Sequence, residues 1–329
     1  MRRHTNHQRF TAMTDPDSGP LPGAPALRHP RYWPSWLAVG LAYALGRLPF
    51  PLLWALGQGL GRLGYYMATD RREVARRNLG ICLANRTPTQ RERILRAHFG
   101  WLGVAAVTQG LVWGISRARL KRLVLIRNPE VIDACIAAGR PVIVLVPHFV
   151  GLELAGAAFT GLVHAGVYMY QKIRDPVVDR QVKRARRQYG SVSIERSDDL
   201  RGLIRVVRSG TPFFYLPDQD GGRRGIFVPF CGVPASTVPS LGRFAALSGA
   251  LVIPTFARYL PWGRGLELAF DAPLSPFPTG DPAADAALMN RVIEARIHTM
   301  PEQYFWVHRR FKTRPPGAPP FYPPKRRRS

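Results

Sequence analysis

Residues 142–146 read Val-Ile-Val-Leu-Val, wholly apolar and mostly β-branched. A run this short predicts a strand covered on both faces. It is followed by Pro147, His148 and then LELAGAAF, a segment with the look of a helix. The alternation repeats along the chain. Strands are expected over Val124–Ile126, Gly166–Tyr170, Phe213–Leu216, Ala250–Ala257 and Leu266–Phe270. Helices are expected over 70–115, Pro129–Ala138, Pro176–Tyr189, Asp198–Ser209, Pro239–Ser248 and Asp281–Met300. Strands alternating with helices predict an α/β fold with a mostly parallel central sheet flanked by helices. No internal repeat is visible, and low complexity is confined to the two ends, GPLPGAP and KRRRS.

Before the first strand the pattern changes. Residues 1–29 are rich in Pro, Gly, Arg and His and read as a disordered basic extension. Tyr32–Gly61 then has no acidic residue and one internal cation, Arg47, with Tyr32, Trp33 and Trp36 crowded at its start. Aromatic residues gather in this way at lipid–water boundaries. Arg47, Pro49 and Pro51 spoil a clean span, so the segment predicts a membrane-anchoring helix over 30–66, spanning with a kink or lying in the interface. A buried core helix is the competing reading. Cations are denser after the segment (Arg62, Arg71, Arg72, Arg76, Arg77) than before it (Arg28, Arg31), which places the body, 67–317, on the cytoplasmic side. Residues 318–329 form a basic tail. Gly59, Gly61 and Gly64 match a dinucleotide fingerprint, but they follow the anchor and not a strand. They read as close-packing or bending points.

Composition narrows the partners. The 329 residues carry 47 Lys and Arg against 21 acidic residues, a formal charge of +26. Nucleic acid, an anionic membrane surface and an acidic protein all fit that balance. Cys82, Cys135 and Cys231 are far apart and form no metal-binding pair, so neither a disulfide framework nor a zinc site is expected and a reducing compartment is the default.

The candidate chemistry lies at strand ends, where open α/β sheets bind ligands. His148 follows the first apolar strand, and Glu153 falls five residues later. Five residues on one helix span about 500° and share no face, so the two meet only if His148 lies in the turn and Glu153 in the first helical turn. An imidazole backed by a carboxylate can take a proton from a hydroxyl. The strand Phe213–Leu216 leads into Pro217-Asp218-Gln219-Asp220 and the turn GGRRG with Arg223 and Arg224. If the two strands are parallel neighbours, Asp218 emerges on the same edge as His148. Glycine amides and guanidinium groups suit phosphate; solvated surface charge is the competing reading for the arginines, and a turn or capping role for Asp218.

Several segments together resemble the lipid A biosynthesis acyltransferases, the lauroyl/myristoyl transferases within the lysophospholipid acyltransferase superfamily. They are HPRYWPSWL (29–37), ARRNLGICL (75–83), PHFVGLELAG (147–156), YQKIRDPVVDRQVKRARRQYG (170–190), FFYLPDQDGGRRGIFVPFCGVPASTVPSLGRFA (213–245) and PEQYFWVHRRFKTRPPG (301–317). The resemblance implies an inner-membrane enzyme whose catalytic domain faces the cytoplasm. It implies transfer of a fatty acyl chain, most commonly lauroyl, from acyl carrier protein to a hydroxyl of a hydroxyacyl chain on the phosphorylated Kdo–lipid A precursor. By position, His148 and Glu153 are then the catalytic pair, with Glu153 orienting His148, and Arg186, Asp218 and Arg224 match substrate-binding positions. Some relatives have Tyr-Arg where this chain has Tyr170-Gln171. No cofactor or metal is implied beyond the carrier thioester. Backbone amides at the start of the helix after His148 are the expected oxyanion donors. The cations of 308–314 and those near the anchor are expected to steer the acidic carrier and the anionic inner-membrane lipid.

Two other classes compete. A glycerolipid (lysophospholipid) acyltransferase would use the same base, usually with Asp in place of Glu153, and would not carry the 301–317 segment. A basic nucleic-acid-binding protein accounts for the charge but not for the apolar anchor, whose aromatics do not interleave with cations, so no nucleic-acid partner is expected.

Overall fold

The computed structural model describes residues 27–195 and 200–323. Most of the basic extension at 1–29, the start of the helix expected from Asp198, and the end of the basic tail at 318–329 lie outside the described residues.

Seven strands form the central sheet: β1 (Val124–Arg127), β2 (Val142–Leu145), β3 (Val167–Tyr170), β4 (Val192–Glu195), β5 (Phe213–Tyr215), β8 (Leu251–Tyr259) and β9 (Leu266–Phe270), in the order β1-β9-β8-β2-β5-β3-β4. The pairs β8–β2, β2–β5, β5–β3 and β3–β4 are parallel, as is β1–β9, and β8–β9 is antiparallel. Every residue of β2 is buried. Ile143 and Leu145 join one apolar cluster, while Val142, Val144 and Val146 join the other. The unbroken apolar run thus belongs to a central strand covered on both faces, as expected from the sequence.

A second, two-stranded sheet pairs β6 (Ile226–Phe230) with β7 (Val233–Thr237). The sequence reading has no strand there, nor at β4. Pro229 and Pro234 face each other in this hairpin. Proline lacks a ladder donor and is tolerated where no third strand needs one. The turn residues Cys231 and Gly232 both have positive φ, as the tight hairpin turn requires.

The expected single anchor helix over 30–66 is replaced by two helices, α1 (Trp33–Gly46) and α2 (Phe50–Met67). Pro49 sets the break: its ψ of 142° is extended, and a proline disfavours helical backbone in the residue before it. Among the described residues no helix is long and apolar enough to cross a membrane. Next come α3 (Thr69–Cys82) and α4 (Pro88–Val107). The glycines resembling a nucleotide fingerprint divide: a Cβ at Gly61 would collide with the backbone of Phe99 and Gly100 on α4, whereas one at Gly59 would meet nothing within 4 Å. Gly57 and Gly103 make the same close α2–α4 approach.

One further expectation is overturned. Cys82, at the end of α3, and Cys231, in the β6–β7 turn, form a disulfide across a sequence separation of 149. Their Cα atoms lie 4.8 Å apart. The hairpin that carries Cys231 to α3 is the element that the sequence hid, so spacing along the chain gave no warning. Cys135 is free and buried.

Candidate active site

β2 and β5 are parallel neighbours with Leu145 paired to Tyr215. His148 and Asp218 each lie three residues beyond that pair, so strand register alone brings them side by side. Asp218 accepts a hydrogen bond from the His148 backbone amide at 2.8 Å and lies 2.6 Å from Nδ1 of the ring. The Asp218 side chain is 1% exposed and that of His148 is 20% exposed. Burial alone would lower the imidazole pKa, but the charge and hydrogen bond of Asp218, with the charge of Glu153, raise it above its ordinary value. Burial would raise the Asp218 carboxyl, and His148 instead holds it low. With Asp218 on Nδ1, Nε2 is the outward nitrogen, met by the side-chain amide of Gln219 at 3.2 Å.

Glu153 stands where expected, in the first turn of α5 (Leu152–Ala158), with His148 in the preceding turn. Its hydrogen bonds go elsewhere. Glu153 accepts from Arg186 at 2.5 and 3.4 Å, while the bracing of His148 falls to Asp218. This exchanges the expected partners. The physical reason is the strand register, which delivers Asp218 to the ring, whereas the turn holds Glu153 farther off, close enough to act through its charge. Arg186 comes from α6 (Pro176–Arg187) and lies over the rings of Tyr168 and Tyr170, 5.2 and 5.9 Å from their centroids. Burial opposes its charge, and Glu153 more than offsets this, raising its pKa. Arg224 is exposed in the turn Gly222–Arg224, one residue beyond Gln219 and Asp220.

Beside this cluster runs an apolar cavity. Val146, Leu152, Glu153 and Arg186 line it, and it continues past Gly156, Thr160 and Phe214. Glu153 and Arg186 are the only charged groups among its lining residues. Four of the backbone amides that follow Pro147 are already engaged. The amides of His148, Phe149, Val150 and Leu152 donate to Asp218, Pro147, Gln303 and Phe149.

The segment 301–313 straps the catalytic turn in place. Phe149 and Tyr304 form a β-bridge, Phe305 N donates to His148 O, and Gln303 O accepts from Val150 N, both at 2.9 Å. The Gln303 side chain spans Tyr259 through its amide and carbonyl. Asn78 Nδ2 donates to the carbonyls of Trp306 and His308. His308 Nε2 accepts from the Asp220 amide at 3.1 Å, and Thr313 donates to the Asp220 carboxylate. An imidazole in that role must be neutral, and burial lowers its pKa to about 4. Arg310 is buried and donates to Ser236 and Thr237. The basic run 308–314 is thus largely a structural latch and not the free steering surface expected from its charge. Gln219, Gln303 and His308 were missed as parts of the site, although all three stand within the quoted motifs.

With the geometry established, comparison with known proteins places the chain. A sequence model described as bacterial lipid A biosynthesis acyltransferase matches residues 21–313. The chain belongs to that family. It is 34% identical over 299 residues to the lipid A biosynthesis lauroyltransferase of Escherichia coli (strain K12), covering 90% of this chain and 97% of that protein. It is 32% identical over 297 residues to the lipid A biosynthesis palmitoleoyltransferase of the same organism, covering 89% and 96%. Among solved structures, the 1-acyl-sn-glycerophosphate (LPA) acyltransferase PlsC from Thermotoga maritima aligns with a TM-score of 0.36 and 17% identity, over 74% of this chain and 96% of that one.

Proposed function

We propose that this acyltransferase moves a fatty acyl chain, lauroyl by its similarity to the lauroyltransferase, from acyl carrier protein to a hydroxyl of a hydroxyacyl chain on the phosphorylated Kdo–lipid A precursor. The observation that carries this reading is His148, bonded through Nδ1 to a buried carboxylate, with Nε2 turned outward beside an apolar cavity. An acceptor hydroxyl replaces the Gln219 amide at Nε2. His148 takes its proton as the oxygen attacks the thioester carbonyl carbon. The tetrahedral intermediate collapses, the carbon–sulfur bond breaks, and the imidazolium returns the proton to the departing sulfur. The products are an ester and a free carrier thiol. A bare hydroxyl is about as weakly acidic as water, pKa ~15.7, and a positioned base contributes roughly 10²–10⁴-fold. Asp218 offsets the developing imidazolium charge. Glu153 acts on His148 through its charge and fixes Arg186 at the cavity mouth. Arg186 and Arg224 meet phosphate or developing negative charge on the substrates.

The apolar surfaces of α1 and α2 support a membrane site. Trp33, Leu37 and Leu41 are exposed along one helical line, and Leu52, Leu56, Leu60, Leu63 and Met67 along another, with Trp262 exposed near α2. Exposed apolar surface of this extent marks an interaction site, and a short apolar helix beside one with an apolar face suits the plane of a bilayer interface. The net charge of +26 favours an anionic leaflet. In this reading the protein lies on the cytoplasmic face of the inner membrane, where acyl carrier protein and the lipid precursor meet.

The test is transfer by purified protein from lauroyl carrier thioester to the lipid precursor. His148→Ala should lower turnover by roughly 10²–10⁴-fold while the protein remains folded. Near-parental turnover by that variant removes the base role. Mass spectrometry of lipid A from cells lacking the protein reads both chain and position.

A further inference from the structure

Glycine weakens a helix interior relative to alanine. Helices keep it where a neighbouring backbone presses close, as at Gly57, Gly61 and Gly103 of this chain. Gly156 is open, as Gly40, Gly59 and Gly80 are, but of these four it alone lines the apolar cavity. It lies inside α5, and a Cβ there would meet nothing within 4 Å. Neither packing nor backbone conformation calls for glycine at this point. What its missing side chain supplies is room on the cavity wall.

The position along the cavity is informative. Glu153, Gly156 and Thr160 follow one another at helical spacing, and all three line the cavity. Glu153 marks the charged end, paired with Arg186. Gly156 is about 4.5 Å further along the helix axis. Thr160 lies beyond it, its hydroxyl turned back onto the carbonyls of Gly156 and Ala157 at 2.9 and 3.2 Å, so it adds no unpaired polar group to the wall. Gly156 therefore stands partway down an apolar slot that starts beside the catalytic cluster.

We propose that Gly156 sets the length of the donor acyl chain, because the space at its α-carbon admits the methylenes that a side chain would exclude. The inference rests on the acyl-transfer reading above and assigns this cavity to the donor chain. Each buried methylene is worth roughly fourfold in affinity, so losing room for two changes the ratio between donors two carbons apart by roughly 15-fold.

The experiment uses the full chain, purified, as parent, Gly156→Ala and Gly156→Leu. Carrier thioesters of graded saturated chain length compete for one lipid acceptor, and the products are resolved by mass. The expected result is a shift toward shorter chains in Gly156→Leu, by roughly 15-fold in the kcat/KM ratio for donors two carbons apart, and a smaller shift of the same sign in Gly156→Ala. Alanine favours the helix, so the second variant keeps the test open if leucine prevents folding. An unchanged donor distribution overturns the proposal. So does an equal loss across all lengths, or a dependence that follows only the chain on the acceptor. A parent that transfers no chain from any carrier thioester brings down the acyl-transfer reading itself, a result distinct from a parent that transfers with variants of unaltered preference.

Discussion

Replacing Asp218 with asparagine separates the bracing seen here from the one expected from spacing. Asp218 is almost fully buried, receives the His148 amide at 2.8 Å, and lies 2.6 Å from Nδ1. The ring contact becomes an ion pair as His148 takes a proton, so its loss falls on the transition state. Breaking a buried ion pair costs roughly 3–5 kcal/mol. At one decade per 1.36 kcal/mol, kcat should fall about 10²–10⁴-fold. Asparagine keeps the volume and can still accept the backbone amide, so the fold should survive and KM for both substrates should change little. The pH profile supplies a second readout. A base works only when neutral, and the pKa of His148 is raised, so parental activity is lost as pH falls through a value above the ordinary 6.5. Removing the carboxylate charge lets burial dominate, and the acid limb moves to lower pH. Glu153→Gln should move it in the same direction by less, since Glu153 acts on the ring through charge without a hydrogen bond. Steady-state transfer from labelled carrier thioester to lipid acceptor in mixed micelles, followed across the pH range, measures both quantities. An Asp218→Asn variant with kcat within about threefold of the parent, or with an unmoved acid limb, refutes the bracing argument.

Two further outcomes test the substrate contacts and the surface. Arg224→Ala should raise KM for the phosphorylated acceptor by roughly tenfold with kcat unchanged, the worth of one charge-assisted hydrogen bond; equal KM values for both substrates remove the phosphate contact. Leu56→Ser combined with Leu60→Ser removes two side chains that are each about half exposed on α2. At about 1 kcal/mol apiece, partition onto anionic vesicles should weaken roughly 30-fold, read by co-sedimentation, and an unchanged partition argues against that face as the membrane contact.

What the sequence disclosed was local. The placement of His148 in the turn and Glu153 in the next helix follows from an apolar strand, a glycine and a helical segment in direct succession. Asp218 was visible at a second strand end, but its partner depends on the Leu145–Tyr215 register, which links residues 70 apart. The β6–β7 hairpin escaped because its prolines mimic a loop, and the Cys82–Cys231 bond escaped with it. The segment expected to anchor the chain was legible as apolar and aromatic. Its division into two helices turned on Pro49, which with Arg47 and Pro51 reads in the sequence only as spoiling a clean span and which the structure makes a break. The run 308–314 misled because net charge says nothing of burial, and Arg310 spends its guanidinium inside the protein.

The strap that holds His148 comes from far along the chain. Gln303, Phe305 and His308 follow all nine described strands in sequence, so a ribosome has delivered the whole sheet and both apolar helices before the first of them emerges. Until then the histidine turn has no backbone support from the other side. The base is thus fixed in place only when nearly the whole chain has been made, and competence arrives late in synthesis.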